Sequence, residues 1–365
     1  VNGQITYSGG TAVKGVKVNA VAASGASGKS GAFDGIKSYA SVAPASLLNS
    51  PEISVQAFIR PNLNNSSISP IISKVTGAFP SQRGYDLYIK NGELNAQVAN
   101  ITVKKAIPNY IVGTWLSVGL SVSADSIKLF VNGQLLETTL NTQAANIADT
   151  DSIFIGKRGI DFFDGNIDEV KIYNRALSNI EMERTSDVFI NPSMNGLVGY
   201  WRFDEGFGSI AYDYSKTLQN NNKNHASLSD VAWSNLKPSS NQLSPGAYTD
   251  SLGSYFIPFI PYLGNGDNYT ITPQFGTHSF TPANTTILIG SGSANYTSQN
   301  FLDNSSFSVS GTLKFKNTSC FTKDARLKID GLVVVKNGEI VTTDANGDFT
   351  VQVPIGFHVV SVEKT

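Results

Sequence analysis

Two pairs of neighbouring acidic residues, Asp168-Glu169 and Asp204-Glu205, are the first candidates for chemistry. A retaining glycoside hydrolase needs two carboxyl groups about 5 Å apart on one face. Consecutive residues of a strand point to opposite faces, so we expect neither pair to meet this requirement. The three histidines stand far apart in the sequence, and no acid or nucleophile pattern lies near them. The sequence therefore predicts that the chain is not an enzyme.

A second candidate is the oxygen-rich stretch from Asp213 to Asn224, which contains one carboxylate and several asparagines. Calcium prefers oxygen ligands from carboxylates, amide side chains and backbone carbonyls, often in an irregular loop. The stretch is therefore a candidate calcium site, with Asp213 and Asn222 as ligands. In the alternative interpretation, Asp213 only caps a turn and the asparagines are exposed to water.

Aromatic residues near turns are candidates for ligand binding, because a sugar site needs an exposed aromatic platform with a few fixed polar groups. Such residues are Tyr39, Tyr85, Phe162, Phe163 and Tyr214. We predict Phe162, Phe163 and Tyr214 as ligand-binding residues, since one of two adjacent aromatic residues usually faces outward. In the alternative, both phenylalanines pack against the edge of the fold. Trp115 and Trp201 lie at alternating strand positions, and we expect them in the core.

The composition excludes several classes of protein. Of 365 residues, 41% are hydrophobic, 15% are charged and 33 are glycine, which favours strands joined by tight turns over long surface helices. The net charge of −1 gives no basic surface for nucleic acid or anionic lipid. A single cysteine excludes a disulfide framework and a cysteine-based zinc site. No apolar run approaches the roughly 18 residues that a membrane helix needs, so we predict no membrane insertion.

Short alternating segments separated by turn residues run through most of the chain. Asn91-Gly92 and Asn132-Gly133 each lie between two such segments, and this pair is typical of a β-hairpin. The even spacing predicts two facing antiparallel sheets, as in a jelly roll. One short helix is predicted after Ser178, because Glu181 completes the pattern of a capping box.

The two ends of the chain repeat one pattern. The matched segments are 1–5 with 309–313, 16–19 with 327–330, and 249–255 with 343–349. The last pair shares the phrase Thr-Asp-x-x-Gly-x-Tyr/Phe, which supplies an aspartate for the turn, a glycine for positive φ and a core aromatic. In the second copy 13 positions separate Asp330 from Thr343, whereas in the first 230 separate Asn19 from Thr249. The difference of 217 residues predicts that a whole domain is inserted into the first copy.

The repeated phrases resemble the carboxypeptidase-regulatory-like and collagen-adhesin B-type repeats of bacterial surface proteins. This resemblance covers about 60 residues at the C-terminal end and both flanks of the insertion. It implies small β-sandwiches that act as stalks and spacers, with neighbouring repeats of the same long chain as partners. We accordingly expect these residues to be a segment of a longer protein, with its signal and its anchor elsewhere.

Phrases across the insertion resemble a laminin-G-like, concanavalin A-like jelly roll. They are Gly31–Gly35, Gly113–Trp115, Leu129–Gly133, Gly165–Ser178, Gly199–Gly206, Ala211–Ser215 and Asn224–Ala226. In the common arrangement of that family the Trp-x-Phe-Asp-Glu phrase precedes the Phe-Asp-Gly phrase. Here the phrase at Trp201 follows the one at Phe33, so the domain resembles a circular permutation of that arrangement. The resemblance implies a structural calcium near Asp213, with Asp168 contributing from a neighbouring strand. It also implies recognition of a glycan or a surface protein.

The predicted architecture is all-β. Residues 24–241 form the jelly roll, residues 1–23 and 242–305 form the split sandwich around it, and residues 306–365 form a second sandwich. We predict a non-catalytic segment of a secreted or surface-attached bacterial adhesin, in which the jelly roll binds a glycan or protein. Two alternatives stay open, a purely structural stalk unit and an accessory carbohydrate-binding part of a glycan-active enzyme.

Overall fold

The chain is nearly all β-structure, as predicted, and it divides into two compact units. The computed structural model describes residues 1–7, 10–22, 28–63, 67–77, 81–143, 151–216, 224–258, 260–262, 265–292, 295–316, 318–336, 338–355 and 358–364. The smaller unit comprises Val1–Ala20, Ala247–Ile257 and Asn268–Thr365, and the larger comprises Val21–Gly246 and Pro258–Asp267. The predicted boundaries of the three modules stay a prediction.

Short strands account for almost all the regular structure. The first half contains β1 (Asn2–Tyr7), β2 (Lys17–Ala22), β3 (Ser30–Asp34), β4 (Tyr39–Val42), β5 (Ile53–Pro61), β6 (Ser69–Thr76), β7 (Arg83–Lys90), β8 (Glu93–Val98), β9 (Ile101–Ala106), β10 (Leu116–Val122), β11 (Ser126–Val131), β12 (Gln134–Leu140), β13 (Ile153–Ile155), β14 (Lys157–Arg158), β15 (Asp161–Phe162), β16 (Asp164–Tyr173) and α1 (Asn179–Thr185). The second half contains β17 (Val188–Phe189), β18 (Leu197–Trp201), β19 (Ile210–Ala211), β20 (Ala226–Ser229), β21 (Ala232–Ser234), β22 (Ser244–Tyr248), β23 (Ser254–Phe256), β24 (Asp267–Gln274), β25 (Phe280–Thr281), β26 (Thr285–Ile289), β27 (Phe301–Asp303), β28 (Ser306–Thr312), β29 (Arg326–Ile329), β30 (Leu332–Val333), β31 (Val335–Lys336), β32 (Glu339–Ile340), β33 (Asp348–Pro354) and β34 (Val360–Glu363). A 3-10 turn covers Ser46–Leu48.

The larger unit is a sandwich of two eight-stranded sheets. One sheet has the order β12–β11–β10–β5–β16–β3–β21, with β18 also paired to β16, and the other has the order β19–β20–β4–β13–β6–β7–β8–β9. Alternating apolar residues of both sheets form one buried core, to which Trp201 contributes as predicted. Trp115 is instead half-buried and packs on a separate cluster that contains Phe58 and Phe189.

Helix α1 begins with the predicted capping box. The backbone N–H of Glu181 donates to Ser178 Oγ at 3.3 Å, and the N–H of Ser178 donates to Glu181 Oε2 at 2.9 Å. Arg175 donates to the same carboxylate at 2.7 Å, and this interaction lowers the pKa of Glu181 to about 2. No helix in the described part of the chain is both long enough and apolar enough to cross a membrane.

The smaller unit contains the two copies of the repeated pattern. In the first copy, β1 lies between β23 and β27, and β25 completes that sheet. In the second copy, β28 pairs with β33, and β29 lies between β30 and β34. Hydrogen bonds of the same kind organise the turn in both copies. Thr249 Oγ1 donates to the carbonyl of Val13 at 2.6 Å, and Thr343 Oγ1 donates to that of Thr322 at 2.6 Å.

The aspartate and the glycine of the turn also make the same contacts in both copies. Asp250 Oδ1 accepts from two backbone N–H groups at 2.8 and 2.9 Å, and so does Asp344 Oδ1. Gly253 and Gly347 have φ of +71° and +73°. Their carbonyls accept from Ile5 N and Leu313 N at 2.8 Å. The glycine is required because a Cβ at either position would clash with the carbonyl oxygen of the residue that donates to it.

One part of the predicted alignment between the copies is wrong by two residues. Val16 N donates to Thr249 Oγ1 at 2.9 Å, and the equivalent donor in the second copy is Ala325 N, at 3.0 Å from Thr343 Oγ1. Val16 therefore corresponds to Ala325 and not to Leu327. The alternation of apolar residues in both strands made a two-residue shift invisible in the sequence, because such a shift keeps every side chain on its face.

Replacing Gly347 by alanine is expected to destabilise the smaller unit by about 2–4 kcal/mol, since the methyl group adds a backbone clash to an unfavourable positive φ. The matched control is Gly331→Ala, because Gly331 has φ of +82° and open space around its Cβ position. The control is expected to cost only about 1–2 kcal/mol, the penalty of a left-handed conformation for a residue with a Cβ. Urea unfolding measures both, and equal losses would contradict the role given to the carbonyl contact.

Candidate functional site

Strands of the second sheet separate apolar from polar residues with a period of two. On β7, Tyr85, Leu87 and Ile89 belong to the core, whereas Asp86 and Tyr88 lie on the opposite face. We call this opposite face of β4, β13, β6, β7 and β8 the outer face. The β14–β15 hairpin contacts β6, and it supplies further side chains to this region. A sheet face with ordered aromatic and polar groups is a candidate binding surface.

Three aromatic rings and one lysine meet on the outer face. Tyr39 on β4 lies 5.9 Å from Phe154 on β13 and 6.4 Å from Phe162 on β15, measured between ring centroids. The Lys157 ammonium lies 4.3 Å from the centroid of Tyr39, 5.4 Å from Phe154 and 5.6 Å from Phe162. All four side chains are half-buried. We call these four residues the aromatic–lysine patch.

The neighbouring residue of the hairpin, Arg158, connects to a polar cluster on β7 and β8. Arg158 forms an ion pair with Asp86, donates to Gln97 Oε1 at 2.8 Å, and lies 5.4 Å from the ring centroid of Tyr88. Asp86 also accepts from the backbone N–H of Gln97 at 2.9 Å. Burial raises the pKa of Asp86, although Arg158 and the Gln97 N–H act in the opposite direction. The cluster fixes the hairpin, and with it Lys157, over the sheet.

The structure separates the three predicted ligand-binding residues. Phe162 belongs to the aromatic–lysine patch. Phe163 is fully buried and packs edge-on against Phe33 at 6.3 Å, so it is a core residue and cannot contact a ligand. Tyr214 is half-buried and lies 6.4 Å from the ring of Tyr200, which is on β18 in the other sheet. Of the two adjacent phenylalanines, Phe162 is thus the one that lies on the outer side, and Phe163 lies in the core.

The predicted metal ligand Asp213 organises a turn through hydrogen-bond donors. Its Oδ1 accepts from the N–H groups of Tyr200 at 3.0 Å and Ser215 at 2.8 Å. Its Oδ2 accepts from Ser215 Oγ at 3.0 Å and Asn224 N at 3.2 Å. Calcium is bound by the lone pairs of oxygen atoms. The lone pairs of this carboxylate already accept hydrogen bonds from four donor groups. The described residues around Asp213 therefore do not fit a calcium ion, and the alternative interpretation as a turn cap describes them.

The other two predicted metal ligands do not complete a site. Asn222 lies outside the described residues, so its part of the prediction stays a prediction. Asp168 lies in a different environment, beside Glu169 and Asp204. Among the residues that the structure describes, no group of three or more His, Cys, Asp or Glu side chains is arranged to hold a metal ion.

The expectation that Asp168 and Glu169 point to opposite faces is wrong. The pairing between β16 and β5 shifts register between Asp168 and Lys171, and Glu169 has φ of +50°. This irregularity interrupts the alternation of side chains. Asp168 and Glu169 both line the same narrow cavity, together with Asp204 and Lys237. No residue in this phrase predicts the irregularity, because the residue with the left-handed conformation is a glutamate and not a glycine.

A buried network of charges surrounds this pair. Glu169 accepts from Tyr200 OH and from Arg202 Nε at 3.3 Å, and Arg202 also pairs with Asp204 at 2.7 Å. The ammonium of Lys171 lies 3.9 Å from Glu169 and donates to the carbonyl of Thr185 at 2.7 Å. Burial raises the pKa of Glu169 and of Asp168, and the nearby Asp204 raises that of Asp168 further. We call Asp168, Glu169, Lys171, Arg202 and Asp204 the buried charge network.

Comparison with known proteins agrees with the sandwich. Residues 34–182, less than half of the chain, match the family model Laminin_G_3, described as the concanavalin A-like lectin/glucanases superfamily. This segment is therefore similar to a concanavalin A-like jelly roll. It contains all four residues of the aromatic–lysine patch and Asp168 and Glu169 of the buried charge network. A search of the curated proteins gives no match.

Several solved structures are similar to the chain at low identity. One is a Bacteroides ovatus protein proposed to bind carbohydrate, at 15% identity, with 62% of each chain covered and a TM-score of 0.44. The match thus spans less than two thirds of that protein. Another is domains LG4-5 of the mouse laminin alpha1 chain, at 16% identity, covering 42% of this chain and 44% of that one, with a TM-score of 0.34. A third is the CBM40 of the Ruminococcus gnavus IT-sialidase bound to alpha2,3 sialyllactose, at 19% identity, covering 41% and 94%, with a TM-score of 0.34.

Sequence reasoning missed Phe154 and Lys157 of the patch. A signal for Phe154 exists, since Ile153-Phe154-Ile155 places one aromatic residue opposite two core isoleucines. The same alternation puts Tyr39 on the outer face beside the buried Ala40. Lys157 has no comparable signal, because its position over the rings depends on how the hairpin folds back.

Proposed function

We propose that the jelly roll binds a glycan on its outer face through the aromatic–lysine patch. The observation that carries this proposal is the meeting of three half-buried rings around one ammonium group. Sugar sites combine an aromatic surface, which packs on the C–H face of a sugar ring, with a few fixed polar groups. The family of the matched segment includes lectins by its description, which supports the same function.

The polar part of the proposed site would come from Lys157 and from the cluster around Arg158. Within the described residues the Lys157 ammonium has only ring contacts and forms no ion pair, so its N–H groups can donate to sugar oxygens. Arg158 is three-quarters buried, and its Asp86 and Gln97 contacts keep it in place. A ligand would thus meet fixed groups and would order few side chains on binding.

Phe162→Ala is expected to weaken glycan binding about 3- to 10-fold, the equivalent of one lost aromatic contact of about 0.5–1.5 kcal/mol. A glycan array with the labelled protein would identify the ligand, and calorimetric titration of that ligand would give the affinities. The matched control is Phe207→Ala, since Phe207 is 74% exposed and belongs to the same unit but not to the patch. Equal affinities of Phe162→Ala and the unmodified protein for a glycan that binds would remove the patch from the proposal.

We further propose that the protein acts outside the cell without catalysis, with the repeated sandwiches as spacers. The resemblance of the repeats to those of bacterial surface proteins supports this location and role. Absence of binding to any glycan on the array would favour the stalk alternative. Release of sugar products from a bound polysaccharide would contradict the non-catalytic proposal, and binding without release would agree with it.

A further inference from the structure

In the first copy of the repeat, both edges of β1 are covered. β23 pairs with one edge in antiparallel direction, through Gly3 and Tyr255. A segment from Tyr296 to Asp303 covers the other edge. Asn2 N donates to the carbonyl of Tyr296 at 2.9 Å, and Gln299 N donates to the carbonyl of Asn2 at 3.0 Å. A Cβ on Gly3 would clash with the backbone of Gln299, so the covering segment lies directly against the strand.

The covering segment continues as β27 and closes the core of the first copy. β27 runs parallel to β1, with Ile5 opposite Phe301 and Tyr7 opposite Asp303. Phe301 is 2% exposed and Ile5 is fully buried. Asp303 accepts from Ser305 N at 2.9 Å and pairs with His278, which fixes the end of the segment. One extended segment thus supplies both backbone pairing and an apolar side chain.

The second copy has the equivalent strand without the cover. The register of β28 with β33 places Gly311 opposite Phe349, as Gly3 lies opposite Tyr255. Ser310–Phe315 therefore corresponds to Asn2–Tyr7. β28 pairs with β33 alone among the strands that the structure describes. A Cβ on Gly311 would meet the ring of Phe349, but within the described residues no backbone takes the place that Gln299 has beside Gly3. We call Ser310–Phe315 the open edge.

The core of the second copy is exposed where the cover is missing. Leu313 is half-buried, whereas its counterpart Ile5 is fully buried. Phe315 is 56% exposed, whereas its counterpart Tyr7 is half-buried. A strand edge with unpaired backbone groups beside exposed apolar side chains is a template for pairing with another extended segment.

We propose that the open edge binds an extended segment of a second polypeptide in parallel orientation, with a large apolar residue opposite Leu313. The covering segment of the first copy defines this chemistry, since Phe301 occupies that place opposite Ile5 and is preceded by polar residues. Backbone hydrogen bonds to Ser310 and Lys314, the counterparts of Asn2 and Thr6, supply affinity. The apolar side chain supplies selectivity by covering Leu313 and the adjacent core.

A synthetic peptide with the sequence of residues 295–304 tests this proposal on the 365-residue protein. Hydrogen exchange of the backbone amides is expected to slow at least tenfold at Ser310, Thr312 and Lys314 when the peptide is in excess. The amides of Asn2 and Gln4 are the internal control, because their edge is already covered and their exchange should not change. A peptide with asparagine in place of Phe301 is expected to bind at least tenfold more weakly, and so is one N-methylated at Gln299.

Three results would overturn the proposal. Unchanged exchange along the open edge at saturating peptide concentrations would show that it does not accept a segment of this chemistry. Slow exchange at the open edge without peptide, together with a dimeric mass in light scattering, would show that a second copy of the chain occupies it. Equal binding of the unmodified and N-methylated peptides would contradict pairing through the backbone.

Discussion

Asp213→Ala is expected to lower the free energy of unfolding of the larger unit by about 3–4 kcal/mol. Asp213 is 1% exposed, and its carboxylate accepts four hydrogen bonds from Tyr200, Ser215 and Asn224. Alanine would leave three buried backbone N–H groups without this acceptor, and each unsatisfied buried group costs about 1–3 kcal/mol. Urea unfolding monitored by tryptophan fluorescence measures the loss, since Trp201 forms a β-bridge with Asp213.

The control for Asp213 is Ser215→Ala, which removes one hydroxyl donor and leaves the three backbone bonds in place. Its expected cost is about 1 kcal/mol. Similar losses for the two variants would mean that the carboxylate does not organise the turn.

Excess calcium is expected to leave the unfolding midpoint of the larger unit unchanged relative to chelator. The reason is that the lone pairs of Asp213 already face hydrogen-bond donors, so the carboxylate presents no free oxygen to a cation. An ion bound at a hundredfold excess over its dissociation constant would instead add about 2.7 kcal/mol of stability. Such a rise, lost in Asp213→Ala, would restore the calcium site with ligands from residues 217–223.

The parts of the fold that depend on local pattern could be predicted from the sequence. Alternating apolar residues predicted the two sheets, because strand side chains alternate between faces. The capping box at Ser178 and the turn from Asp344 to Asp348 are likewise formed by residues within a few positions of each other. In each case the chemistry that fixes the backbone is contained in one short phrase.

The candidate site could not be predicted in the same way. Tyr39, Phe154 and Phe162 meet because β4 pairs with β13 and the hairpin from Lys157 folds onto the sheet. The contacts of Tyr39 with Phe154 and Phe162 join positions more than a hundred residues apart. The bulge at Glu169 is a second example, since it reverses the face of one carboxyl group through a backbone irregularity without a glycine. Register and bulges are set by the whole sheet and not by the phrase in which they occur.

Arg202→Ala is expected to destabilise the larger unit by about 3–5 kcal/mol at neutral pH, because it removes the partner of buried carboxyl groups. The Arg202 side chain is 12% exposed, donates to Glu169 and Asp204, and lies 4.5 Å from the ring centroid of Phe189. Glu169 is 2% exposed and would keep only Tyr200 and the more distant Lys171 as partners. A buried charge without its partner is costly, whereas the neutral acid is tolerated.

Protonation of the buried carboxyl groups sets the pH dependence of this loss. Burial raises the pKa of Glu169 and Asp168 above their unfolded values, and Arg202 opposes that rise for both. Without Arg202 their pKa values rise further. The stability that protonated carboxyl groups contribute is complete below the unfolded pKa of about 4, and it is lost as the pH rises through the folded pKa. The loss caused by Arg202→Ala should therefore be small near pH 4 and grow toward pH 7.5.

Arg202→Met separates packing from charge, because it keeps an apolar stem beside Phe189. Urea unfolding at both pH values should give Met and Ala variants the same pH dependence, and a pH-independent loss in either would mean that Arg202 acts by packing alone.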